Sequence, residues 1–242
     1  MIHRLCCIFG FGITMLVPRH FCGAQLVTVS GKVAVERVLG SNKHPDRPDN
    51  SNVVVWLTSA DARHRMVSFP MHRELRLTQK DKSFVPSFLI VPVGSSIEFP
   101  NHDPWFHNVF SLFNGKRFDL GLYEAGRSRS VKFDREGVSY IFCNIHSEMH
   151  AVVITLETPF FGKSDVAGSI SIPDVPPGSY QLHVWYERAT PQELQDFDQM
   201  IDVSGIHMQL PPIRLAETQG LSTEHKNKFG KDYDRLHPTS LY

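Results

Sequence analysis

The sequence predicts an all-β protein. Three observations carry this expectation. Apolar residues recur with period two in short runs, as where Tyr180, Leu182, Val184 and Tyr186 alternate with Gln181, His183, Trp185 and Glu187. Sixteen glycines and sixteen prolines are dispersed between these runs, where they favour turns. No long stretch shows the 3.6-residue spacing of an amphipathic helix. At 242 residues, 41 % hydrophobic and 21 % charged, the chain is long enough for one or two real cores.

The first 24 residues differ from the rest. Arg4 lies in a short basic region, Leu5 to Val17 is almost wholly apolar, and Cys22-Gly23-Ala24 supplies small residues. The apolar run is too short to cross a bilayer comfortably, so residues 1–24 are expected to be a secretory signal peptide cut after Ala24. Arg19-His20-Phe21 before Cys22 is a poor lipoprotein signal. The expected location is periplasmic or secreted, with no membrane insertion after cleavage. Losing Arg4 and Arg19 takes the 25 basic residues to 23, against 25 acidic ones. That balance gives no reason to expect nucleic acid as a partner. Cleavage also removes Cys6, Cys7 and Cys22 and leaves Cys143 alone. A single thiol in a secreted chain has no intramolecular disulfide partner and points to reactivity, intermolecular pairing or a metal.

Strands are expected over Ser30 to Val38, Val53 to Leu57, Phe84 to Val93, Ser96 to Phe99, Val109 to Phe113, Phe118 to Leu122, Val131 to Phe133, Val138 to Cys143 and Ala151 to Leu156. Pro86 and Pro92 demote the third of these to an edge or a bend. Ser41 to Asn52 is a polar loop. Asp61 to Arg76 is basic and irregular, and its His64 and His72 are explained by solvation. After Pro159, strands are expected over Ser169 to Ile172, Tyr180 to Tyr186, Met200 to Val203 and Ile206 to Leu210. Residues 216–242 are expected to form a loosely ordered polar tail.

The chemistry is concentrated in one short loop. Cys143-x-x-His146-x-x-Met149 lies between two strands, and His107 follows another strand 36 positions earlier. Copper has a good use for this set: a thiolate and two imidazoles form a trigonal plane, and a thioether sits weakly on its axis. The competing explanation is a buried free cysteine beside unrelated histidines, which requires several coincidences of type and spacing. Zinc also takes cysteine and histidine, but the methionine suits copper's softer preferences. His150, Glu148, His102 and Asp103 lie close by. His150 and His102 are minor ligand candidates, and a donor stronger than methionine on the axis would make a non-blue centre.

The loop Cys143-Asn144-Ile145-His146-Ser147-Glu148-Met149 resembles that of the cupredoxins, with the short spacing of amicyanin-like members. Phe106-His107-Asn108-Val109 is similar to their first-histidine strand end, and Asp103 to Ser111 resembles bacterial methylamine-utilisation or plastocyanin-like proteins. The resemblance spans roughly Lys80 to Glu157. It implies a Greek-key sandwich with one copper ion cycling between Cu(I) and Cu(II), held by His107, Cys143, His146 and Met149. It further implies His146 as the electron port, Asn108 as a tie between the two ligand loops, and a periplasmic redox protein as partner. A second resemblance lies in Ser164-Asp165-x-x-Gly168 and in Ile172-x-x-Val175-Pro176-Pro177-Gly178-x-Tyr180-x-Leu182, which look like transthyretin-like carboxypeptidase-regulatory modules.

That second module lacks its opening strands, and pieces of the right kind stand upstream, at Ser30-Gly31-Lys32-Val33 and Val53 to Leu57. The expected organisation is therefore a discontinuous smaller sandwich, residues 26–75 plus 158–215, with the copper domain, residues 76–157, inserted in it. The alternative is three consecutive units. Electron transfer is the expected role. A copper-binding or sensing module without a redox partner is the other reading, favoured by the extra His102 and His150. An enzyme is disfavoured because the sequence holds no second dense histidine cluster and no His-x-His pair.

Overall fold

The structure, a computed structural model, describes residues 25–37, 49–61, 75–112, 115–218 and 226–233. Residues 1–24, His64 and His72 lie outside them. The described residues are nearly all β. Two strands precede the ligand-bearing segment, β1 (Val27–Arg37) and β2 (Val54–Ser59). Ten lie within it: β3 (Leu75–Arg76), β4 (Thr78–Lys80), β5 (Ser83–Val85), β6 (Phe88–Pro92), β7 (Ser95–Pro100), β8 (His107–Ser111), β9 (Phe118–Tyr123), β10 (Ser128–Phe133), β11 (Gly137–Phe142) and β12 (His150–Leu156). After it come β13 (Phe161–Lys163), β14 (Ser169–Val175), β15 (Gly178–Trp185), the helix α1 (Pro191–Gln195), β16 (Gln199–Val203), β17 (His207–Gln209) and β18 (Ile213–Glu217).

The strands before and after the segment combine. β1 pairs with β14 on one side and, in parallel, with β17 and then β18 on the other. The facing sheet runs β13-β2-β15-β16. Leu57 of β2 sits opposite Leu182 of β15. Val53, Leu57, Tyr180 and Val184 enter one core with Val29, Ile172 and Ile213. A tight turn ties this sandwich together. Gly168 N–H donates to the Asp165 carbonyl, and the Gly168 carbonyl accepts from Val33 N–H, each at 2.8 Å. Gly168 has φ +78°, and a Cβ there would stand 2.1 Å from the Val33 carbonyl oxygen. Glycine is required on both counts.

The inserted segment makes a second sandwich. Its larger sheet is β6-β12-β11-β8-β9, its smaller one β10-β7-β3, with the β4–β5 hairpin alongside. Its core holds Phe99, Val109, Phe133, Ile141 and Val153. β6, bounded by Pro86 and Pro92, is an edge strand, where a missing amide donor is tolerated.

β12 explains why its sequence does not alternate. Ala151 and Val153 face the ligand-bearing core, while Val152, Ile154 and Leu156 join Val54 and Trp185 in a third apolar cluster between the two sandwiches. A strand buried on both faces reads as a continuous apolar run.

Of the stretch expected to form a loosely ordered polar tail, residues 216–242, the structure describes 216–218 and 226–233. β18 reaches Glu217, and residues 226–233 lie against the Cys143 loop, where Lys228 N–H donates to Asn144 Oδ1 at 3.0 Å and Tyr233 O–H donates to the Cys143 carbonyl at 2.6 Å. One backbone amide and one phenol hydroxyl thus satisfy a side-chain oxygen and a backbone carbonyl of the loop.

Candidate metal centre

Two neighbouring strands place the first two groups. β8 and β11 are antiparallel, with Phe110 opposite Phe142. Their rings pack 5.9 Å apart. Side chains alternate along a strand, so Val109 and Cys143, one residue on from this pair, turn the other way and enter the core. His107 opens β8 two residues before Val109 and is wholly buried. The loop after Cys143 is closed by two backbone bonds, Met149 N–H to the His146 carbonyl at 3.1 Å and Cys143 N–H to the Met149 carbonyl at 3.2 Å. This returns the chain to β12 and places Met149, also wholly buried, in the same core as Cys143.

His107, Cys143 and His146 converge, their potential ligand atoms all within 4.8 Å of one another. Cys143 Sγ lies 3.7 Å from His107 Nδ1 and 3.8 Å from His146 Nδ1. A nitrogen about 2.0 Å and a sulfur about 2.3 Å from a first-row divalent ion, at a trigonal angle of about 120°, stand about 3.7 Å apart. The donor set therefore has the spacing to share one ion, and the buried Met149 thioether adds a soft sulfur to the same core.

Burial keeps the three donor groups uncharged. Burial pushes the Cys143 thiol up, against the backbone amides of Asn108, His146 and Ile145. Burial pushes His107 down despite the pull of Asp103, and it pushes half-buried His146 down to about 4, helped by His107 and Lys82. A thiol and two neutral imidazoles must give up only the thiol proton on taking a metal.

Asp103 lies beside the first ligand candidate. Its Oδ2 lies 2.8 Å from His107 Nε2, the ring nitrogen away from Cys143. It also accepts backbone N–H from Asp81 at 2.6 Å and Lys82 at 2.9 Å. Burial opposes its charge, but the amides and the His107 ring outweigh burial and hold its pKa below the ordinary carboxylate value.

The structure redirects three other residues. His102 is exposed and outside the cluster. His150 Nδ1 lies 3.2 Å from the Glu148 carbonyl, and its side chain lines a cavity of about 340 Å³ with Trp185, Phe88 and Glu187 instead. Asn108 does not tie the ligand loops through its side chain: Asn108 Nδ2 donates to Asp119 Oδ1 on β9 at 2.7 Å, and its backbone amide is what meets the Cys143 sulfur. Lys228 Nζ holds the other Asp119 oxygen at 2.8 Å. Sequence reasoning missed Lys228 and Tyr233, and no local signal marks them.

No protein-family model and no curated protein matches the chain. Among solved structures it is similar to an oxidised amicyanin variant, with 17 % identity over 34 % of this chain and 82 % of that one, at a TM-score of 0.33. A copper-containing nitrite reductase from Thermus scotoductus SA-01 gives 18 % identity over 50 % of this chain and 28 % of that one, at 0.33. A purple cupredoxin from Nitrosopumilus maritimus gives 22 % identity over 42 % of this chain and 97 % of that one, at 0.29. Scores this low bear no weight on function.

Proposed function

We propose that the protein is a copper-dependent electron carrier of the periplasm or extracellular space. The observation that carries this reading is the triangle of Cys143 Sγ with His107 Nδ1 and His146 Nδ1, at 3.7 Å and 3.8 Å. These three residues would hold one copper ion, with Met149 as a weak fourth donor. Bound there, copper would cycle between Cu(I) and Cu(II) with little rearrangement. His107 is anchored deep in the sandwich, whereas half-buried His146 is the ligand nearer solvent and the natural port for an electron. Trp105 and Phe106, 40 % and 44 % exposed, precede His107 and supply an apolar surface on which a periplasmic redox protein docks weakly. The sandwich formed by β1, β2 and β13 to β18 serves, in this proposal, as a transthyretin-like carrier that contributes no chemistry and holds the ligand loop at a fixed angle. The extra His102 and His150, which favoured the reading as a copper-binding or sensing module, do not join the cluster of His107, Cys143 and His146 among the described residues.

The deciding experiment is the absorption spectrum of the Cu(II)-loaded protein beside that of Cys143→Ser. An intense visible sulfur-to-copper charge-transfer band, lost on substitution, is expected. Tight zinc binding with no such band under Cu(II) would sink the redox reading.

A further inference from the structure

We propose that Asp103 is a positioning residue that presents His107 to the metal through Nδ1 and lowers the reduction potential of the site. This rests on the copper reading above. His107 is wholly buried, so water cannot accept a hydrogen bond from its Nε2–H. The group that can is Asp103 Oδ2, 2.8 Å away and itself 95 % withdrawn from solvent, its side chain being 5 % exposed. A proton on Nε2 leaves Nδ1, the nitrogen that faces Cys143, with a free lone pair. The carboxylate therefore selects the tautomer that can bind metal, and it makes the ring a stronger donor.

The surroundings are built to keep that carboxylate in place. The β4–β5 hairpin turns through Asp81 and Lys82, both non-glycine residues in the left-handed region at φ +53° and +54°. Such a turn ordinarily selects Asn-Gly or Asp-Gly. Here the unusual backbone aims two successive amides at the two Asp103 oxygens. Asp103 N–H is in turn held by Asn101 Oδ1 at 3.0 Å, and buried Asn101 fixes the loop by donating to the Trp105 carbonyl at 2.8 Å. The carboxylate thus links a hairpin, a loop and a ligand.

A fixed negative charge one imidazole away from the metal favours Cu(II) over Cu(I). Removing it should weaken Cu(II) binding by about 10–100-fold, the usual effect of losing such a partner. If Cu(I) binding is unchanged, the potential rises by about 59 mV for each tenfold, hence by about 59–118 mV. The test compares wild type with Asp103→Asn, whose side-chain oxygen still accepts from His107 but carries no charge. The charge-transfer band is measured first. Its absence from wild type removes the copper reading, and this inference with it. A band in both proteins with a potential raised by the stated amount supports the inference. A band in both with a change under twofold, about 18 mV, overturns it and leaves the copper reading standing. Should the variant not fold, proton–nitrogen NMR of Cu(I)-loaded wild type decides the matter. A slowly exchanging proton on His107 Nε2 supports the assignment, and a bare or rapidly exchanging Nε2 overturns it.

Discussion

Ile154→Ala tests whether the two sandwiches are one cooperative structure. Ile154 is 1 % exposed, yet its side chain points away from the ligand-bearing core and into the cluster shared with Val54 and Trp185. The substitution removes three carbons. At about 0.8 kcal/mol for each buried methylene, the lost transfer free energy is about 2.4 kcal/mol. The cavity left in a rigid interface adds to this, which places the cost within the range of about 2–5 kcal/mol seen for isoleucine truncation. We expect about 3 kcal/mol. For a chain of this length, about 2–4 °C is lost per kcal/mol, so Tm should fall by about 6–12 °C. Urea unfolding of the metal-free protein measures it, with Val166→Ala as control, since Val166 is 61 % exposed. A midpoint shift with unchanged slope reports a stability loss rather than a change of state. A cost below about 0.5 kcal/mol, the range of ordinary surface substitutions, would refute the reasoning. It would mean that this face of β12 is not buried and that the β1–β2 sandwich does not hold the ligand sandwich in place.

Four further outcomes are expected. His146→Gly should accept external imidazole and recover the copper spectrum, while His107→Gly should do so far more slowly, because His107 is wholly buried and His146 is not; equal recovery by both would contradict the assigned geometry. Met149→Leu should keep the charge-transfer band and raise the reduction potential, since oxidised copper loses a donor; a lowered potential would remove Met149 from the site. Gly168→Ala should cost more than the roughly 1–2 kcal/mol of a left-handed alanine, because its Cβ would also meet the Val33 carbonyl oxygen at 2.1 Å; thermal unfolding of the two proteins reads the difference. Burial pushes the Asp119 carboxyl up, but bonds from Lys228, Gly121 and Asn108 outweigh it and hold it below 3.8. The contact of residues 226–233 that Asp119 supports is therefore complete above 3.8 and lost as pH falls through the lower folded value. Protection of the Lys228 amide from hydrogen exchange, relative to a free amide at the same pH, should fall over that range in wild type and be low at every pH in Asp119→Ala; a pH-independent wild-type protection would contradict the ion pair.

The sequence was enough to establish the all-β class and the local pieces of the candidate centre. Period-two alternation, proline placement and turn residues act over a few positions, and β15, β11 and β7 run where those signals put them. The loop from Cys143 to Met149 was legible for the same reason, since its spacing is a property of seven consecutive residues. One local signal was overlooked: Thr190-Pro191-Gln192-Glu193 carries the marks of a helix start, and Thr190 Oγ1 does accept Glu193 N–H ahead of α1.

What only the tertiary structure decided depends on partners distant in the chain. Alternation in Val53 to Leu57 requires a buried face but names no neighbour; the backbone register of β2 against β15 names it. The run from Ala151 to Leu156 shows that both faces are apolar, and only packing shows that one meets the Cys143 core and the other Trp185. Asp103 could be read as one more oxygen donor near a metal, because composition and spacing do not say which atom of His107 it approaches. Its place on Nε2 follows from the fold of the β4–β5 hairpin, whose two amides fix the carboxylate. Residues 226–233 reach the ligand loop through side chains and backbone groups that leave no pattern in the sequence. Local conformational preference extends over a few residues, whereas the shape and charge of a site are set by surfaces that meet only after the chain has closed on itself.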